Sequence, residues 1–283
     1  MESQDVIYGK EDGIATITLN RPETLNALTP TMTAEWIAAI EDAKKDDQIK
    51  VLVVTGAGRA FCSGENPRAL ASRRSESNAG QTTGLANATY GVAGALLDFY
   101  KPYIGSINGA AAGAGMDLAS LCDIRIASDR ARFGMTYVRM GVIPANGGCY
   151  LLPRIVGITK AKELIWTGKL IDAQEALRIG YVSMVVPHEE LAAATNELAI
   201  GLAKGPSVAM QWAKRLIHQC LDLDLKGAFR AHSEALSVVL RTEDAREGPR
   251  SLGGKEGAGV QGALACRGDN PGTRPKEIVC DLR

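Results

Sequence analysis

The stretch Asn108-Gly109-Ala110-Ala111-Ala112-Gly113-Ala114-Gly115-Met116-Asp117-Leu118 follows an apolar run, Tyr103 to Ile107, and precedes a second one, Ile124 to Ala127. The two runs have the length and content of strands buried on both faces. Between them, Asn108-Gly109 reads as a turn and Ala114 to Leu121 as a helix opened by glycines. Strand, glycine-rich turn, helix and strand within 25 residues point to an α/β fold. The first helical N–H groups lack intrahelical partners, so a turn of small residues there brings backbone donors close to a ligand. Small residues also serve tight strand–helix packing, and Ala110 to Ala112 alone carry no more than that.

Working outward, Val6 to Asn20 alternates apolar and polar residues around Asp12-Gly13 and predicts a hairpin. Met32, Trp36, Ile40 and Ala43 recur at helical spacing after Thr29, a capping residue, and Val51 to Val54 predicts a buried strand. The stretch Pro67 to Ala86 has no apolar period and reads as a long loop, and Leu85 to Tyr100 reads as a helix. After Pro144 the texture is helical, over 147–156, 160–166, 173–179, 189–203, 206–221 and 226–241, interrupted by one strand from Tyr181 to Val186. Residues 251–283 carry seven glycines and no period, and are expected to be disordered.

Composition bounds the function. The 283 residues include 46% hydrophobic and 23% charged, ordinary for a globular chain. Lys plus Arg and Asp plus Glu both number 32, so no chain-wide field draws the protein to nucleic acid or to an anionic membrane. No apolar run reaches the ~20 residues of a membrane span. The start, Met-Glu-Ser-Gln-Asp, is no secretory signal. Six dispersed cysteines without CxxC, and three histidines all in the C-terminal half, predict a reduced, cytoplasmic, metal-free protein. Phosphate-loop, HExxH and GxSxG motifs are missing, and Gly109, Gly113 and Gly115 are spaced GxxxGxG rather than GxGxxG.

A second glycine-containing segment, Gly58-Arg59-Ala60-Phe61-Cys62-Ser63-Gly64-Glu65-Asn66, also follows a strand. Together with Asn20-Arg21-Pro22-Glu23-Thr24-Leu25-Asn26-Ala27-Leu28, Ile107 to Ile124, Phe133-Gly134, Gly141-Val142-Ile143-Pro144 and Thr167 to Val182, it resembles the enoyl-CoA hydratase/isomerase, or crotonase, superfamily. These motifs run in family order over roughly residues 5 to 250 and are jointly specific.

The resemblance implies a crotonase-like α/β spiral of ββα units over 1–200, a C-terminal helical region over 201–250 that builds trimers or dimers of trimers, and a tail over 251–283. It implies an acyl-CoA thioester substrate, with coenzyme A arriving as part of that substrate and no separate cofactor. By motif position it puts the two backbone donors of an oxyanion hole at Ser63 and Ala114, and substrate contacts at Arg21, Leu25, Ala27, Cys62, Ser63, Gly64, Glu65, Asn66, Gly113 and Ala114. Arg59 and Arg68 flank the same loops and are further candidates for the phosphates, although solvated surface arginines are the commoner explanation.

Where a hydratase of this family holds water between two glutamates, this chain has Asp117 and Tyr137. Asp117 lies one turn from Ala114 and is expected to shuttle a proton; an acid complementing the helix dipole is the equal alternative. Tyr137 is a poor base at neutral pH and is expected to donate to a substrate oxygen. The expectation is an enoyl-CoA hydratase-like enzyme acting through an enolate, with a thioester hydrolase and an inactive acyl-CoA-binding homologue as alternatives.

The family's usual ending, Lys-Arg-x-Pro-x-Phe, is missing. Gly253 to Gly262 can be written in codons whose next frame reads Ala-Ala-Lys-Arg-Ala-Pro-Val-Phe-Lys-Gly, so a frameshifted tail after about Leu252 is expected, with a genuine flexible extension as the alternative.

Overall fold

The computed structural model describes residues 4–65 and 91–253. The expected loop from Pro67 to Ala86, the start of the helix expected from Leu85, Asn66, Arg68 and the tail beyond Gly253 lie outside the described residues.

The chain opens with β1 (Val6–Glu11) and β2 (Ile14–Leu19), joined through Asp12 and Gly13, both at positive φ, the backbone of a tight hairpin turn. Helix α1 (Pro30–Lys45) starts at Thr29, whose side chain accepts from the Met32 N–H, and buries Met32, Trp36 and Ile40. Three strand pairs then repeat one pattern. In β3 (Val51–Gly56) and β4 (Ala60–Cys62), β5 (Tyr103–Ile107) and β6 (Ala110–Ala112), and β7 (Ile124–Ser128) and β8 (Arg132–Gly134), the first strand joins a six-stranded sheet and the second a four-stranded one.

The larger sheet runs β1-β2-β3-β5-β7-β10, parallel except for the hairpin, with β10 at Met184–Val186. The smaller runs β4-β6-β8-β9, closed by an antiparallel β9 (Ile171–Asp172). A helical segment at 91–97, α2 (Ala114–Ser120) and α3 (Gly148–Val156) follow the successive pairs, so each turn is a ββα unit of a spiral. The core lies between sheets and helices, around Ile17, Leu19, Trp36, Leu52, Phe61, Phe133 and Tyr181.

The remainder is helical: α4 (Ile158–Thr167), α5 (Ala173–Arg178), α6 (Leu191–Ala203), α7 (Ser207–Cys220), α8 (Leu225–Val239) and α9 (Glu243–Gly253). Helix α9 takes in Ser251, Leu252 and Gly253, the first three residues of the expected tail. Among the described residues no helix is long and apolar enough to cross a membrane.

Two buried asparagines brace the corners of the spiral. Asn26 accepts from the Arg21 N–H at 2.8 Å and donates to the carbonyls of Ala57 and Ala60 at 3.0 and 2.8 Å. Asn108 accepts from the Gly56 N–H at 3.2 Å and donates to Gly58 and Ala60 at 2.9 and 3.2 Å. Each side-chain nitrogen and oxygen of these two residues is paired, which is what a structural polar group in a core requires.

Candidate active site

The two motif loops meet. Gly64 has φ +83°, and a Cβ there would lie 2.6 Å from the Ala112 carbonyl oxygen and 3.1 Å from the Ala114 nitrogen. A side chain would push the loops apart and cover the amide. Ala114 is the first residue of α2, and its N–H has no acceptor among the described residues. Its amide is therefore open.

The Ser63 amide is not open. Its N–H donates to the Leu25 carbonyl at 3.0 Å, so this amide is spent within the protein and the expectation is corrected. Leu25 and Asn26 both have positive φ, and this turn carries the Leu25 carbonyl to Ser63. Two residues on, Leu28 and Glu65 form a parallel bridge in which the Leu28 N–H donates to the Gly64 carbonyl at 2.9 Å.

The other expected contact residues divide. Cys62 is fully buried, where desolvation pushes its thiol up to about 12, so it is an inert wall of the loop. Arg21 is engaged by Asp5 at 3.4 Å and by the Ala27 carbonyl at 3.3 Å, and Arg59 is exposed.

One helical turn from Ala114, Asp117 is fully buried. Tyr137, 7% exposed on the 3-10 turn Thr136–Met140, donates its hydroxyl to Asp117 Oδ2 at 2.6 Å. Asp117 and Tyr137 are in contact, and the phenol donates to Asp117 where a substrate oxygen was expected. Its single proton is committed to Asp117, so Tyr137 holds the carboxylate rather than a substrate oxygen. Burial first, and then the adjacent carboxylate, push the Tyr137 phenol far above its ordinary value, so it stays a donor. Burial likewise raises Asp117 to about 6, against the opposing hydrogen bonds from Tyr137 and from the Asn146 backbone. A carboxyl poised there exchanges protons near neutrality.

A third member was missed. Asn146, 2% exposed, donates its backbone N–H to Asp117 Oδ2 at 3.2 Å and its side-chain amide to Tyr137 Oη at 3.3 Å. In the sequence it stands before Gly147-Gly148 and reads as a turn residue, with no signal that the turn lands on Asp117. Gly148 completes the enclosure, since a methyl group there would overlap Asp117 Oδ1.

Comparison with known proteins adds the chemical frame. The family model described as enoyl-CoA hydratase/isomerase matches residues 9–256. A short-chain-enoyl-CoA hydratase of Clostridium acetobutylicum is 37% identical over 255 residues, covering 87% of this chain and 94% of the relative. A crotonyl-CoA hydratase of Syntrophomonas wolfei is 32% identical, covering 88% and 94%. The crystal structure of an enoyl-CoA hydratase from Bacillus anthracis superposes with a TM-score of 0.85 at 31% identity, over 92% of this chain and all of that one.

Proposed function

The chain belongs to the enoyl-CoA hydratase/isomerase family and is an enzyme of lyase or isomerase type; from that premise we propose that it adds water to a 2-enoyl-CoA thioester, with Asp117 as its acid/base residue. The observation that carries this reading is a buried, proton-exchanging carboxyl one helical turn from the open Ala114 amide.

The thioester carbonyl oxygen is received by the Ala114 N–H. A fixed donor in a dry site favours the enolate over the ground state by a few kcal/mol. Asp117 takes a proton from water as the new C–O bond forms at Cβ, then delivers it to Cα. Tyr137 and the Asn146 backbone keep Oδ2 in place, leaving Oδ1 to exchange the proton. Arg59 and Arg68 are the proposed cations for the CoA phosphates, and Gly113, Leu25, Ala27 and Asn66 remain proposed neighbours of the substrate. The assembly is proposed to be a trimer or a dimer of trimers, in the cytoplasm.

The test is a panel of enoyl-CoA thioesters followed by mass. Gain of one water by a member of the panel, lost by ~10³-fold or more in Asp117→Asn, supports the reading. Release of free CoA would make the protein a thioester hydrolase, and tight binding without mass change an inactive homologue.

A further inference from the structure

Asp117, Tyr137 and Asn146 form a closed ring of hydrogen bonds through Asp117 Oδ2, the Tyr137 hydroxyl and the Asn146 nitrogens. Two atoms of the same residues are left over. Asp117 Oδ1 and Asn146 Oδ1 are both shut off from solvent, and neither has a donor among the described residues. The ring fixes which way the Asn146 amide points. Because the phenol gives its proton to Asp117, its oxygen can only accept from Asn146, and Nδ2 must be the atom that faces it.

A buried acceptor without a donor keeps its full desolvation cost, and Asn26 and Asn108 show that this fold pairs its buried amides where they serve structure alone. Two acceptors on residues joined in one ring, and no donor for either, are the complement of one small molecule with two O–H hydrogens.

We infer that Asn146 holds the nucleophilic water: its Oδ1 and Asp117 Oδ1 each accept one hydrogen of the water that adds to the substrate. The assignment rests on the proposed hydratase reading and names the group that stands in for a second carboxylate. As the water oxygen bonds to Cβ, its hydrogen on the Asp117 side passes to Oδ1 while the C=C electrons move through Cα onto the thioester oxygen. Asp117 then returns that proton to Cα, and the hydrogen bonded to Asn146 stays on the new hydroxyl. The sum is enoyl thioester plus water giving 3-hydroxyacyl thioester, with Asp117 and Asn146 unchanged.

A water-holding residue and one that merely positions Asp117 differ in a measurable way. Exchange of the α-hydrogens of butyryl-CoA in deuterated water uses Asp117 and the Ala114 amide but no nucleophilic water. Asn146→Ala leaves the backbone and Tyr137 bonds to Asp117 intact. It is expected to slow crotonyl-CoA hydration by ~10²-fold while changing α-exchange by less than about threefold.

Asn146→Ser keeps an acceptor oxygen and should fall between wild type and Ala; it is also the variant to use if the Ala protein does not fold. Equal losses in both reactions, or hydration unchanged, overturn the inference and leave the hydratase reading standing. A wild-type protein that hydrates nothing overturns that reading and the inference with it. Wild-type hydration without α-exchange removes the proton return from Asp117 to Cα, and this assignment falls with that step.

Discussion

Two buried polar clusters belong to the same spiral and are built on opposite terms. Asn26 and Asn108 pair all their side-chain polar atoms with backbone groups of the loops they brace. Asp117 and Asn146 each keep one oxygen unpaired, in a setting where burial already raises Asp117 to about 6. The first cluster stabilises the fold; the second leaves two acceptors open at a cost in stability. Depth of burial is the same in both, and completeness of hydrogen bonding is what differs between them.

Variants on the two sides should therefore fail differently. Ala114→Pro removes the open donor at the first helical position, where proline is tolerated, so turnover of the enoyl thioester should fall by ~10²-fold or more with the melting temperature close to wild type. Unchanged turnover would remove Ala114 from the mechanism. On the scaffold side, Asn26→Ala strands buried partners at Arg21 and Ala57, and urea unfolding should report a loss of about 2–4 kcal/mol. A loss well under 1 kcal/mol would show that the bracing is redundant.

Asp117→Asn should do the reverse and raise stability by on the order of 1–3 kcal/mol at pH 7. The sign follows from the raised folded value. The wild-type carboxyl binds its proton more tightly folded than unfolded, so its contribution is full below about pH 4 and is lost as pH rises through about 6. The stabilisation by Asn should accordingly shrink as the pH is lowered. A variant less stable than wild type at neutral pH would make Asp117 a helix-dipole partner instead.

The larger sheet was legible because β3 and β5 are apolar runs, because Val6 to Asn20 alternates apolar and polar residues, and because Asp12-Gly13 and Thr29 carry turn and cap chemistry of known meaning. The smaller sheet was not, since β4, β6, β8 and β9 span only two or three residues and pair through backbone alone. At the site, the resemblance to the family's motifs picked out both loops and the Asp117 and Tyr137 positions. It put an oxyanion donor at Ser63, because motif position does not say which way an amide points; the Leu25 turn does, by taking up the Ser63 N–H. Asn146 escaped because only the fold of the segment after Tyr137 returns it to a helix 29 residues earlier.

The central claim is that one buried carboxyl, Asp117, moves the proton. Its most direct test is the pH dependence of kcat/KM for crotonyl-CoA hydration by the wild-type protein. The account predicts a rate that climbs about tenfold per pH unit at the acid end and levels off once pH passes about 6, as Asp117 ionises. A rate flat between about pH 5 and 8 would contradict it.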